Sequence, residues 1–496
     1  MNLKQFIFIV IFFIGVSCVT FTIVFSEVED MKIGLSHNEA MKLAVDHNLD
    51  IKLAKIDAEY HRTRIESSKS VFDILIEAGA HYTDDELNSA SSFLGNKSTA
   101  ADYNFGISKK LPTGTTLEAD LSHYRNYSDS DFVTINPSHE SSAKFTVRQS
   151  VGKNFFGLED RGNMKIASIN SQQVNLESLD RIETTLANCE ITYWNLVYTY
   201  KSTAINHDML MRSEHLYKIY QDRFERGIAE SPDVYASEAN VNISNINYEI
   251  AQNSILNASN FLKVNLNIDS NEAIKPNETL VTPYLKADYI EHLKDAVAKR
   301  RDYRAALKNV EAQNINVVIK KNNLWPEIDL VATYERNGID SDGQQSVKDI
   351  ADEDNSEYYL GVDVSMFLEN REARTEKKQA LLMQKKALIS LKKLELKIAS
   401  ELDRRVRAVN IDAEKIRRWE EIVRLQTEKL TAEEEMVKYG RSSSDILIRY
   451  QNDLLNAQMS LAASYLEYRI SRIELELAKN NILINLDAED LIKITN

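Results

Sequence analysis

Glycine and proline are scarce along this chain of 496 residues, at 14 and 6. Helix interiors tolerate neither, so their scarcity over such a length favours long helices. Only two cysteines occur, Cys18 and Cys189, which excludes a disulfide framework and any cysteine-rich metal site. An excess of positive charge is also missing. Lys and Arg number 60 against 75 Asp and Glu, a formal net charge of −15. Phosphate binding needs a basic face, so no nucleic-acid partner is expected. Signatures of common chemistry are absent as well: there is no G-x-S-x-G elbow, no H-E-x-x-H and no G-x-x-x-x-G-K-[ST]. His207 and His215 share a helix without the spacing of a ligand pair. Asp340-Ser341-Asp342-Gly343 opens like a calcium loop, but its twelfth position is Ala351 rather than Glu, so it reads as an exposed loop. The chain reads as no enzyme, and no cofactor is expected.

What is present begins with an export segment. Met1–Gln5 carries one positive charge, Lys4, and Phe6 to Phe25 is an almost uninterrupted apolar run. Val24-Phe25-Ser26 offers branched and small residues at the −3 and −1 positions of a cleavage site, which places a signal peptide at 1–26. The run is also long enough for an uncleaved anchor. Cys18, after Gly15-Val16-Ser17, faintly resembles a lipoprotein cleavage box. On each reading the chain is exported.

Beyond that segment the chain repeats itself. Residues 36–82 align without a gap on 288–334, with identities that include Glu39/Glu291, Lys42/Lys294, Asp50/Asp302 and Tyr82/Tyr334. Ser36-x-x-Glu39 and Asp288-x-x-Glu291 each have the spacing of a capping box. Two halves built alike point to a duplicated unit, 27–283 and 284–496, rather than to a solenoid. Each half reads as helix, strands, very long helix, short break and second long helix. The strands fall at about 71–152 and 326–368, and the helical hairpins at 163–266 and 371–485. In the second half Leu381, Leu388, Leu402, Val409, Ile416, Val423, Leu430 and Val437 share a seven-residue spacing that only Glu395 interrupts. Leu447, Leu454, Leu461, Tyr468, Leu475 and Ile482 continue it after the break. Left-handed coiled packing has such seams, and a plain coiled-coil scaffold would account for them equally.

The strands are harder to reconcile with a scaffold. Ile74, Ile76, Ala78, Ala80 and Tyr82 share one face while Asp73, Glu77 and His81 share the other. The same alternation recurs in Leu117, Ala119 and Leu121, in Phe145 and Val147, in Ile328, Leu330, Ala332 and Tyr334, and in Tyr358, Leu360, Val362, Val364 and Met366. Full charges on the polar face, aromatics near strand ends and polar, acidic loops at 84–101, 127–141 and 337–356 fit a water-filled membrane barrel. Four strands in the first half and two in the second cannot close a barrel, so several copies must share one wall.

These features resemble the TolC family of outer-membrane efflux and secretion channels over about residues 35–485. The resemblance rests on Leu35-Ser36-His37-Asn38-Glu39-Ala40 with Asn48-Leu49-Asp50-Ile51, on Tyr193-Trp194-Asn195-Leu196-Val197, and on the Lys-Leu-Pro-Thr-Gly-Thr-Thr turn ending at Thr116. Above all it rests on two helix breaks, Arg223-Phe224-Glu225-Arg226-Gly227-Ile228-Ala229-Glu230-Ser231-Pro232-Asp233-Val234 and Met436-Val437-Lys438-Tyr439-Gly440-Arg441-Ser442-Ser443-Ser444-Asp445-Ile446-Leu447. Gly227 suits a left-handed helix end, and Ser231 suits the next cap.

The resemblance implies an α+β, mainly α fold: a homotrimer whose shared outer-membrane β-barrel continues into a long periplasmic α-helical, coiled-coil barrel. It implies a passive export duct, opened by a periplasmic adaptor (a membrane fusion protein) and an inner-membrane pump of the RND, ABC or MFS type, or a type I secretion system. The alternative is a periplasmic coiled-coil scaffold or adaptor without a pore. Gly227, Ile228, Ser231, Gly440, Arg441 and Ser444 become the expected adaptor contacts. Asp233, Asp445, Arg226, Tyr439 and Arg449 become the expected gate. Asp445 stands five residues after its glycine and Asp233 six after its own, and Ile448 occupies a place where the family can carry another acid. The second tip thus departs from the family's acidic pattern.

Overall fold

A computed structural model describes residues 34–87, 95–269, 273–281, 283, 286–439, 441–485 and 494. The expected signal peptide, Cys18, part of the first acidic loop and Gly440 lie outside the described residues. In chain order come α1 (His37–His47), α2 (Leu49–Lys69), β1 (Ile74–Asp85), β2 (Ser98–Lys110), β3 (Thr115–Ser128), β4 (Ser138–Ser150), α3 (Leu158–Glu225) and α4 (Ser231–Leu266). They are followed by α5 (Tyr289–Lys299), α6 (Arg301–Asn322), β5 (Glu327–Asp340), α7 (Gly343–Asp352), β6 (Ser356–Ser365), α8 (Arg371–Lys438) and α9 (Ser444–Ala478).

The duplication survives as matched geometry. Ser36 and Glu39 cap α1 reciprocally, the Ser36 N–H donating to the Glu39 carboxylate at 2.8 Å. In the second copy Asp288 accepts the Glu291 N–H at 2.9 Å, without a return bond among the described residues. Asn48 (φ −60°, ψ 130°) and Arg300 (φ −59°, ψ 122°) place the same kink between the paired short helices. The long helices α3 and α8 hold 68 residues each, about 100 Å at 1.5 Å per residue. α3 starts at Leu158 rather than near Asn163, because Asn154 (φ 56°) turns the chain out of β4 and its Oδ1 accepts the Glu159 N–H at 2.8 Å. α4 and α9 run back only half as far, and α2 and α6 carry on beside the same long helices. The Asn48 amide donates to the last turn of α4 (Asn265 O, 2.7 Å), and Arg300 donates to the last turn of α9 (Ala478 O, 3.0 Å), so each pair meets end to end.

The largest core surrounds these meetings, where Ile182, Leu186, Tyr193, Leu196, Leu262, Leu402, Ile416 and Tyr468 are buried. The seven-residue seam holds in the lower part of α8: Leu402, Val409, Ile416, Leu430 and Val437 are buried, as are Leu447, Leu454, Tyr468 and Leu475 on α9. Above Glu395 it does not. Leu381 and Leu388 are exposed, and Ala380 and Ala387 are buried in their place. The reason is a change of neighbour, since that part of α8 packs on α6, with Lys320 on Glu376 at 3.0 Å and Gln384 on Asn314 at 2.7 Å.

All six strands form one antiparallel sheet in chain order, β1 to β6, and the β4–β5 pairing joins the two copies. The Leu111–Thr115 turn is closed by Gly114 N to Leu111 O at 2.9 Å, with Gly114 at φ 72°. The 337–356 segment is not wholly loop. It contains α7, and the calcium-like Asp342 is that helix's cap, accepting the Gln344 N–H at 2.7 Å.

Candidate channel wall and gate

Strand register sorts the sheet into two faces. Ile76, Ile107, Ala119, Phe145, Tyr334 and Tyr358 follow one another across the six strands in a single row. The next row towards the helices holds Leu117, Val147, Ala332 and Leu360. Among the described residues nothing covers most of this face; Leu360 is 84% exposed. Along β6 the run Tyr358 to Val364 spans about 20 Å at 3.3 Å per residue, close to the roughly 25 Å apolar band of a membrane barrel. Trp325, Phe367, Leu368, Phe155 and Phe156 are exposed where the sheet joins the helices, the level of an aromatic girdle.

The opposite face is charged. Arg148 meets Asp363 at 3.1 Å and Asp329 at 3.7 Å, and Lys144 lies 3.8 Å from Glu335. Ser122 bonds Ser142, and Thr146 bonds Thr333. Such side chains are stable beside water and costly beside lipid. Among the described residues β1 and β6 are each paired along one edge only.

At the far end of the helices the two hairpin tips pack on one another. Leu216, Tyr220, Leu430, Val437, Leu447 and Leu454 form a second core there. Asp233 accepts from the Ser444 hydroxyl at 2.6 Å, and the Arg223 guanidinium donates to the Val437 carbonyl. Ser442 donates to the Glu433 carboxylate. The Tyr220 hydroxyl is buried without a hydrogen-bond partner among the described residues. Burial pushes its pKa up, and Asp233, Asp445 and Glu433 add to the shift.

Of the expected tip residues, Gly227 ends α3 at φ 73° with open space around it, and Ile228 is 71% exposed. Ser231 is the first residue of α4 rather than its cap; Glu230 stands at the cap without a side-chain bond, and Pro232 follows in the first turn. Ser444 is buried, with its hydroxyl donating to Asp233. Arg226, Tyr439, Arg441, Asp445 and Arg449 are exposed, and Arg449 lies over the Tyr450 ring at 5.4 Å. The structure therefore brings together Asp233 and Ser444, with Tyr220, Arg223 and Glu433 beside them. Sequence reasoning placed Arg223 in the first tip but gave none of the last three a role at the gate. Tyr220 and Arg223 stand one helical turn apart just before the break, a signal that becomes readable only once the second tip is known to pack there.

A sheet with one greasy and one charged face, set on two duplicated helical hairpins, defines the fold class of TolC-like outer-membrane channels. Solved structures share it. The CmeC outer membrane channel of Campylobacter jejuni has a TM-score of 0.66 at 14% identity, over 90% of this chain and 85% of that one. The outer membrane protein VceC of Vibrio cholerae gives 0.64 at 14%, over 89% and 95%. The open-state MtrE outer membrane channel of Neisseria gonorrhoeae gives 0.65 at 15%, over 89% and 88%. At such identities the likeness is one of fold. No protein-family model matches the chain, and no curated protein matches it in sequence.

Proposed function

We propose that this protein is the outer-membrane channel of an export machine, a non-enzymatic passive duct that assembles as a homotrimer. The observation that carries the reading is the sheet: its apolar face is exposed over most of its extent, its other face is charged, and among the described residues its two edges are unpaired. In lipid every strand edge must pair, and pairing β6 of one copy with β1 of the next would close a common wall around water. The structural neighbours named as outer membrane channels support this. A periplasmic adaptor would dock on the exposed Gly227–Ile228 tip and, in the second tip, around Gly440 and Arg441. An inner-membrane pump of the RND, ABC or MFS type, or a type I secretion system, would supply the energy. The entrance would be held by Asp233 on Ser444 and Arg223 on Val437, with Arg226, Tyr439, Asp445 and Arg449 available to neighbouring copies.

Reconstitution tests both levels. Heat-modifiable trimers that conduct ions across planar bilayers are expected, with higher single-channel conductance after Asp233→Ala or the double change Asp445→Ala and Arg449→Ala. Unchanged conductance in those variants removes the gate assignment alone. A monomeric protein that needs no detergent removes the channel and leaves the scaffold.

A further inference from the structure

The apolar face of the sheet carries a groove within the wall row itself. Phe105, Leu121, Phe145 and Tyr334 flank a shallow apolar groove of about 350 Å³ over Ala119 and Ala143, within the size range of ligand sites. Its outer end is closed by Ile350 of α7 and by Arg336. α7 lies against this same face because Gly338 leaves room for it; a Cβ there would meet the Ser346 carbonyl oxygen at 2.3 Å. A buried Ser141–Ser346 hydrogen bond of 2.9 Å holds it down.

Cations stand at this end. Arg336 shares a row with Ala143 and Leu121, and Arg125 pairs with His139 farther toward the strand ends, on the same face. Arg336 gives one N–H to the Glu353 carbonyl, and its Nε has no partner among the described residues. Three of the nearby carboxylates accept from donors of their own. Asp349 accepts from Gln345 at 2.7 Å, Asp342 caps α7, and Asp340 accepts the Asp342 N–H at 2.8 Å. A guanidinium at the upper edge of an apolar slot is costly unless an anion meets it, and its planar fork matches phosphate.

We propose that this groove binds a phosphate-bearing lipid of the outer leaflet, with an acyl chain over Ala119 and Ala143 and the phosphate on Arg336 and Arg125. The proposal rests on the reading that the apolar face meets lipid. α7 acts as the stop that sets the height of the headgroup.

The test uses the assembled full-length protein, delipidated in detergent and titrated in native mass spectrometry. The probes are lipid A (a bis-phosphorylated, multiply acylated disaccharide) and the same lipid with its phosphates removed. The wild type is expected to prefer the phosphorylated form by about tenfold or more, the scale of one charged hydrogen bond. The double change R125Q and R336Q should abolish that preference, whereas A119F, which fills the groove, should weaken both lipids alike. Equal binding of the two lipids by the wild type, or an unaltered preference in the double variant, overturns the site. If the double variant fails to assemble, R125Q alone must lower the preference, and no change there is equally fatal. Planar-bilayer conductance of the same wild-type preparation separates the two readings. Conductance without lipid preference sinks only the groove; absent trimers and conductance sink the channel beneath it.

Discussion

Where α1 meets α2, a neutral side chain makes the joint. Asn48 accepts the Ile51 N–H at 3.0 Å and donates to Asn265 O at 2.7 Å. It sits beside Cys189, whose thiol pKa burial pushes up to about 12. Where α5 meets α6 the backbone bends the same way, but the residue is Arg300, which cannot accept an N–H. Its guanidinium pairs with Asp302 at 2.7 Å and Glu401 at 2.9 Å while also holding the Ala478 carbonyl. The next residue, Arg301, pairs with Glu183, which is wholly buried. Glu183 also accepts the Asn480 amide at 2.8 Å and the N–H groups of Ile482 and Leu483 at 2.6 and 3.1 Å. The fold demands a kink at each joint and partners for the last carbonyls of the returning helix. One amide meets that demand; a charge network meets it too, and in addition ties down the end of α9.

The two solutions differ in what their failure costs. Glu183→Ala would leave the Arg301 guanidinium in a nearly closed site with no counter-charge, a loss of about 3–5 kcal/mol. The expected result is a large fall in the thermal midpoint of the assembled protein, with the segment after Ala478 becoming protease-sensitive. Asn48→Ala removes only a neutral cap and one amide bond, worth about 1–2 kcal/mol. If chemical denaturation found the two variants equally destabilised, the distinction between the joints would fail.

How far these joints were legible in the sequence follows from their chemistry. The Ser36–Glu39 box is a local device, read from spacing within one turn, and it forms as read, whereas the cap at Asn48 shows only in the structure. The six alternating segments became six strands because a sheet with two unlike faces admits one parity, although β2 and β5 run a few residues farther than the alternation showed. The seam along α8 was legible only where α9 is its partner, since a seven-residue spacing cannot say which helix covers it. Glu183 was invisible. A lone glutamate in a 68-residue helix reads as a solvated face, and its partners stand more than a hundred residues away in sequence. The tip tie of Asp233 to Ser444, 211 residues apart, was hidden likewise. α7 was lost in an acidic loop because ten residues carry too little periodicity to be told from a polar linker.

The smallest difference between the copies is one of pH. His37 in α1 aligns with Tyr289 in α5. The His37 imidazole lies 3.1 Å from Glu190, and the His37 backbone N–H donates to the Glu278 carboxylate at 2.8 Å. Burial disfavours the charged ring, but the hydrogen bond and charge of Glu190 outweigh it, helped by Asn38 and Glu278, so the pKa is raised above 6.5. A pKa raised by folding stabilises fully below the unfolded value and loses its contribution as pH climbs through the folded one. His37→Gln should therefore destabilise at pH 6, by less than about 1 kcal/mol for a partly exposed pair, and converge on the wild type above pH 8. Tyr289→Gln, at the matching place in the other copy, should shift the midpoint by the same amount at both pH values. A pH-independent effect of His37→Gln would mean that packing against Trp194, whose ring stacks 5.8 Å away, rather than charge, holds α1 in place.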